Sequence, residues 1–300
     1  MKTTLLTAGL LIGVALVFAA CAPLMVINGL VPGDTYRAER DIAYGALARQ
    51  KLDVFMPVRP AAGGAGPATG GAAGAPVIVF FYGGNWNSGA RGDYLFAGEA
   101  FASQGFVTVL ADYRLFPEVK FPDFLHDSAR AFAWVEKNIT RFGGDPRRIV
   151  LAGHSAGAYN AAMLAFDPAY LRAAGADPAS VKAFVGLAGP YDFIPMTNAI
   201  SKQVFGFPDT PPQTQPINFV PGSPGARLPP VLLLTAPDDT TVRPGNSERL
   251  AAKLRAAGGE VKEISYSGLD HRRIVGALAA PLRGLAPVLA DVTAFVRQLR

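Results

Sequence analysis

The sequence predicts an α/β fold: a mostly parallel central sheet with helices on both faces. Three observations carry that prediction. Five apolar runs, PVIVFFY, FVTVLADYR, RRIVLAGHS, VKAFVGLAG and PPVLLLTAPDD, are continuous rather than alternating, as strands buried on both faces must be. Helical patterns at 92–104, 124–142, 156–166 and 247–257 lie between runs, and strands joined by helical crossovers run parallel. The 300 residues are 50% hydrophobic and 17% charged, which supplies a large core and excludes intrinsic disorder for the chain as a whole.

At the N-terminus, MKTTLLTAGLLIGVALVFAA joins a basic start at Lys2 to an apolar segment and two small residues, which resembles a bacterial signal peptide over residues 1–20. The ending Phe-Ala-Ala-Cys resembles a lipobox and makes Cys21 a candidate lipidation site. The same run is barely long enough to be an uncleaved anchor. Either reading expects an exported protein: a membrane-attached lipoprotein, a signal-anchored protein, or one free in the periplasm or medium. Cys21 is the only cysteine, so no intrachain disulfide can form.

RDIAYGALARQKLDVFMP alternates apolar and polar residues around a turn at Gly45, which predicts two antiparallel strands. They open a single domain spanning 36–300. Residues 59–76 are almost wholly Ala, Gly and Pro, have no side chains to bury, and read as a flexible loop inside that domain. The helix from 124 should stop at the glycines of GGDPRR. Residues 191–228 break the alternation with prolines and aromatics and read as a short irregular lid between two core strands. EVKEISYSG predicts a last strand, and 286–299 a closing amphipathic helix. The net charge of +5 comes from scattered basic residues without a long run, the pattern of ordinary solvation rather than nucleic-acid binding.

GHSAG, residues 153–157, follows a predicted strand and precedes a predicted helix. A nucleophile elbow needs that context: Ser155 on a sharp turn, glycines two before and two after for close strand–helix approach, and a helix N-terminus beneath the developing charge. A serine hydroxyl needs a base. Of three histidines, His154 sits inside the elbow, His126 lies on a helix beside Asp127 and reads as structural, and His271 lies in the loop after the last strand. His271 alone follows a candidate acid, in the order Ser, Asp, His. Asp238 and Asp239 both follow PVLLLTA; the Asp-x-x-Val-x-Pro spacing of PDDTTVRP selects Asp239, the other reading being a cap for the helix near Ser247.

In order and spacing, FFYGGNWNSG, ADYRLFPEVKFPDFLHD, GGDPRRIVLAGHSAGAYNA, PDDTTVRP and DHRRIVGAL resemble the α/β-hydrolase serine esterases over 36–300. The likeness is to the hormone-sensitive-lipase-like carboxylesterases, and more closely to the bacterial acetyl- and feruloyl-esterase-like (BD-FAE-like) group. That resemblance implies an α/β-hydrolase fold and a Ser155–His271–Asp239 triad. It also implies an oxyanion hole of backbone N–H groups from Gly83, Gly84, Asn85 and Ala156. Tyr82 stands where the larger family most often has histidine. Tyr82, Trp86 and His154 are candidate pocket residues, with core filling the alternative for Trp86 and a side chain turned into the core the alternative for His154. DYRLFPE is assigned a structural role, with Arg114, Glu118 and Asp127 fixing the loop behind the elbow.

The expected activity is hydrolysis of small-molecule carboxylic esters, of short-chain, acetyl or small aromatic type. An arylformamidase-type amidohydrolase with the same triad is the alternative, and a non-catalytic binding protein of the same fold a more distant one. No metal or organic cofactor is expected, because no zinc-type or dinucleotide motif is present and the tract 61–75 lacks the strand–helix context of a nucleotide site.

Overall fold

The structure is a computed structural model and describes residues 23–58, 74–223, 225 and 227–299. The expected signal segment, Cys21 and residues 59–73 of the Ala/Gly/Pro loop lie outside the described residues.

Eight strands form one sheet: β1 Tyr36–Ala43, β2 Lys51–Pro57, β3 Ala75–Phe81, β4 Val107–Ala111, β5 Gly144–His154, β6 Val181–Leu187, β7 Val231–Thr235 and β8 Val261–Ser265. Their spatial order is β1-β2-β4-β3-β5-β6-β7-β8. Pairing is antiparallel from β1 to β2 and from β2 to β4, and parallel from β4 through to β8. Every residue of β4 and β7 is buried, as is Val77–Phe81 of β3, which matches their unbroken apolar sequences. The edge strand β1, YRAERDIA, is instead charged and largely exposed, which blunts an unpaired edge.

Nine helices accompany the strands among the described residues: α1 Pro23–Gly29, α2 Leu95–Ser103, α3 Asp123–Asn138, α4 Ala156–Phe166, α5 Pro168–Ala173, α6 Ala199–Phe205, α7 Gly245–Ala256, α8 His271–Gly276 and α9 Val288–Gln298. Helix α4 is buried at every position but Ala165, because AGAYNAAMLAF is apolar on all faces and the lid turn Pro216–Phe219 packs over it. The expected helix over 124–142 is α3 followed by a tighter turn, Ile139–Phe142, that ends on Gly143 at φ 81°, a left-handed position glycine occupies without steric penalty.

Two expectations need correction. The lid over 191–228 is not wholly irregular, since α6 forms inside it. Asn198 caps α6 by accepting from the Ile200 and Ser201 N–H groups, and Gly206 ends it at φ 77°. His271 is not in a loop; it is the first residue of α8, whose cap Asp270 accepts from Arg272 and Arg273 N–H.

One polar knot ties the antiparallel edge to the parallel sheet. The Arg91 guanidinium bonds to Asp41 of the β1 bulge, Asp53 of β2 and Asp112 beyond β4, and the Arg91 N–H donates to Asp112 at 2.8 Å. Asp53 and Asp112 are buried; Asp53 pairs with that guanidinium, and Asp112 pairs with it and, at 3.8 Å, with Arg49. Arg91→Ala should lower unfolding stability by about 3–5 kcal/mol, the usual penalty for leaving a buried charge without its partner. Urea unfolding measures this; a midpoint unchanged from wild type would mean that the knot contributes little.

Candidate active site

Every candidate residue of the site lies at the carboxyl ends of the parallel strands. From β3 the chain goes to β4 on one side, while β5 pairs on its other side. Ligands in open α/β sheets bind at such a switch point. The glycine turn leaves β3, Ser155 leaves β5, Asp239 follows β7 and His271 follows β8.

The elbow has the geometry its glycines predict. Ser155 sits at φ 53° and ψ −124°, backbone that an L-residue adopts only when its surroundings hold it there. Its N–H donates to the Leu187 carbonyl at 2.9 Å. A side chain on Gly157 would overlap the Phe81 carbonyl, and one on Gly153 would overlap the Gly157 backbone. Both glycines are therefore required for α4 to cross β3 and β5 closely enough to present the serine.

The side chains of Ser155, His271 and Asp239 form one chain of hydrogen bonds. Ser155 Oγ is 2.8 Å from His271 Nε2, and His271 Nδ1 is 2.7 Å from Asp239 Oδ2. A carboxylate only accepts, so Nδ1 carries the proton and Nε2 is free to accept from the serine. Asp239 is buried, and its other oxygen accepts from the Thr241 and Val242 N–H groups at 2.8 Å each. Of the two adjacent candidates, Asp239 contacts His271, whereas Asp238 is exposed and outside that chain of hydrogen bonds.

The glycine turn is tighter than the sequence suggests. Gly84 (φ 144°), Asn85 (φ 52°) and Trp86 (φ 58°) all have positive φ. The N–H groups of Gly84 and Asn85 have no acceptor among the described residues, and the Ala156 N–H opens α4 as one of the unpaired donors of a helix start. These three remain candidates for an oxyanion hole. Gly83 does not: its N–H donates to the Tyr94 hydroxyl at 3.2 Å. The requirement for glycine at 83 is steric, because a Cβ there would lie 2.9 Å from both Ser155 Cβ and His154 Nδ1.

The Asn85 side chain is latched to the lid. Its amide donates to Asn198 Oδ1 and its carbonyl accepts from Ser201 Oγ, both at 3.1 Å. The cap of α6 therefore also braces the glycine turn, and asparagine suits the left-handed backbone it occupies there.

Of the candidate pocket residues, only Trp86 lines the cavity above Ser155. That cavity has a volume of about 700 Å³, with Phe193, Ile194, Met196, Asn198 and Thr241 also on its walls. Trp86 is both wall and core. It packs edge-on against Tyr159 and Phe205, and its indole N–H donates to Asn160 Oδ1 at 3.1 Å. Tyr82 is core: its ring stacks on Tyr113 with centroids 4.7 Å apart, and its hydroxyl accepts from Arg49 at 2.7 Å. Burial raises its pKa above the ordinary tyrosine value. His154 is also buried beneath the site, with Nδ1 2.9 Å from the Tyr94 hydroxyl and Nε2 2.8 Å from the His271 carbonyl oxygen. Burial, reinforced by repulsion from His271, pulls its pKa down to about 3.

Behind the elbow, Arg114 forks onto the buried Asp127, which also accepts from Gln50 at 2.8 Å. Glu118 is exposed and lies outside that contact, because the turn at 116–118 points it to solvent. His126 packs its ring against Tyr170 on the far side of α3, consistent with a structural role. Sequence reasoning did not single out Tyr94, Asn198, Ser201 or Arg49. No motif marks them, since each acts through a hydrogen bond to a residue distant in sequence. Among the described residues, no group of three or more His, Cys, Asp or Glu could hold a metal ion.

Comparison with known proteins adds four findings. The BD-FAE family model matches residues 66–254. The isoprenylcysteine alpha-carbonyl methylesterase ICME of Arabidopsis thaliana is 28% identical over 272 residues, 85% of this chain and 61% of that protein. The esterase LipQ of Mycobacterium tuberculosis is 30% identical over 273 residues, 84% of this chain and 61% of that protein. The chain thus spans about three-fifths of the length of these curated relatives. Among solved structures, the propionate-bound esterase Est2 of Thermogutta terrifontis superposes with a TM-score of 0.68 at 24% identity, covering 89% of this chain and 96% of that one. That likeness is one of fold, and the fold is that of an α/β-hydrolase.

Gly157→Ala tests the close crossing. The added methyl must displace α4 or the end of β3, and a misplacement on the order of 1 Å lowers turnover about 100-fold. The measurement is kcat on an activated ester alongside urea unfolding; wild-type turnover would show that the crossing tolerates a side chain.

Proposed function

Because this chain belongs to the BD-FAE family, we propose that it is a serine carboxylic-ester hydrolase acting through an acyl-enzyme. The observation that carries the proposal is the unbroken chain from Ser155 Oγ through His271 to Asp239, at 2.8 and 2.7 Å. The names of the relatives, a methylesterase and an esterase, support the same class of substrate.

In this reading His271 Nε2 takes the proton of Ser155 as Oγ attacks the ester carbonyl. The imidazolium is stabilised by Asp239, which holds the ring orientation through its bond to Nδ1. Negative charge develops on the carbonyl oxygen. The free N–H groups of Gly84, Asn85 and Ala156, together with the positive end of α4, are suited to receive it. His271 then gives its proton to the leaving alcohol. Water, deprotonated by the same histidine, attacks the acyl-serine and releases the acid.

We take the substrates to be esters of short or small acyl groups. Support comes from the wall formed by Trp86, whose ring is held by Tyr159, Phe205 and the bond to Asn160 and so cannot swing aside. A lid residue, Phe193, stacks on the same indole with ring centroids 6.2 Å apart.

A fluorophosphonate should label the wild-type protein and leave Ser155→Ala unlabelled. Asp239→Asn should reduce kcat on p-nitrophenyl acetate by about four orders of magnitude, with Asp238→Asn close to wild type. The reverse pattern for the two aspartates would reject the assignment. A series of p-nitrophenyl esters should peak at the short-chain end; a maximum at long chains would refute the acyl preference.

A further inference from the structure

The buried histidine of the elbow has no part in the mechanism above, yet it joins the two halves of the site. Its Nε2 faces the His271 backbone carbonyl, which can only accept, so Nε2 carries the proton. A neutral ring then has a bare Nδ1, and the Tyr94 hydroxyl must donate to it. The Tyr94 oxygen in turn accepts from the Gly83 N–H. The result is a one-directional chain: Gly83 N–H to Tyr94, Tyr94 O–H to His154, His154 N–H to the carbonyl of His271. One end is the turn that presents the free N–H groups of Gly84 and Asn85. The other is the first residue of α8, the catalytic base.

All four members are buried or nearly so, and the link is geometrically tight. The His154 and His271 rings lie 4.8 Å apart between centroids, and a Cβ on Gly83 would touch His154. Neutrality of His154 matters here. His271 becomes cationic during acyl transfer, and a second cation at that separation would oppose it. The carboxylate that faces His271 is Asp239, on its other side. Among the described residues, the titratable partners in hydrogen-bond contact with His154 are Tyr94 and, through its carbonyl, His271.

We propose that His154 and Tyr94 are positioning residues that set the distance between the oxyanion turn and His271. This inference rests on the acyl-transfer reading. Its physical content is that the oxyanion donors and the base must act on one tetrahedral centre. The sheet alone does not set their separation: the turn follows β3, whereas His271 follows β8, four strands away. A direct bridge between them removes that freedom.

The test compares Tyr94→Phe, His154→Gln and His154→Leu with wild type. p-Nitrophenyl acetate gives kcat and KM, a fluorophosphonate counts working sites, and urea unfolding reports the fold. Tyr94→Phe keeps the ring against Phe80, Tyr82 and Phe96 and removes only the hydroxyl. Tyr94→Phe and His154→Leu should lose on the order of 10- to 100-fold in kcat per labelled site, with KM within about twofold of wild type. His154→Gln, whose amide can both donate and accept, should keep kcat within about threefold.

Full kcat in a folded Tyr94→Phe would overturn the inference. So would equal losses in His154→Gln and His154→Leu, which would mean that the ring's packing matters and its bonds do not. The His154 pair carries the test if Tyr94→Phe does not fold. A wild-type protein that takes no label would overturn the acyl-transfer reading itself, and this inference with it; the other outcomes leave that reading standing.

Discussion

Helix α4 crosses the carboxyl end of β3 with its Gly157 backbone against the Phe81 carbonyl, and the rest of the site depends on that contact. The helix can approach the strand backbone this closely only because its residue at the crossing carries no side chain. The approach forces the chain to turn within one residue, and that residue is Ser155, held at positive φ by the strand on one side and the helix on the other. A serine in a looser turn would rest in an ordinary conformation, with its hydroxyl free to rotate toward the backbone. Here the strain, of order 1–3 kcal/mol, is offset by a helix buried on almost every face.

Several buried charges have partners that fix backbone near the site. Asp127 holds Arg114 and the loop behind the elbow, and Arg91 draws the antiparallel edge onto Asp112. Arg49 reaches across to the Tyr82 hydroxyl and the Tyr113 and Gly89 carbonyls, fixing both sides of the glycine turn. Polar groups without charge do the rest: the Asn85 side chain meets the lid, and the neutral His154 meets the base. The candidate catalytic groups sit on loops and helix starts, but rigid contacts on several sides hold those loops in place.

The turn FFYGGNWNSG illustrates how a short motif divides its labour. Its glycines are not equivalent. Gly83 lies close against Ser155 because it lacks a side chain and gives its N–H to Tyr94, whereas the Gly84 N–H has no acceptor among the described residues. Tyr82 turns inward to Arg49, and Trp86 turns back to form a wall of the cavity. A linear reading treats the pair of glycines alike because both have the same intrinsic freedom. Only neighbours from β5, α4 and the turn at Tyr94 distinguish them.

Much of this protein was legible from local pattern. Continuous apolar runs marked the buried strands, and the GHSAG context marked Ser155. The scarcity of histidines left one candidate base, and the spacing around Asp239 chose between two carboxylates. These properties are encoded locally, since strand burial and elbow geometry depend on residue type at short range. The sequence could not show that His154 reaches Tyr94 and the His271 carbonyl, or that Asn85 is latched to a lid helix. Those depend on hydrogen bonds between residues 60 to 117 positions apart, whose partners meet only when the sheet brings the ends of β3, β5 and β8 together.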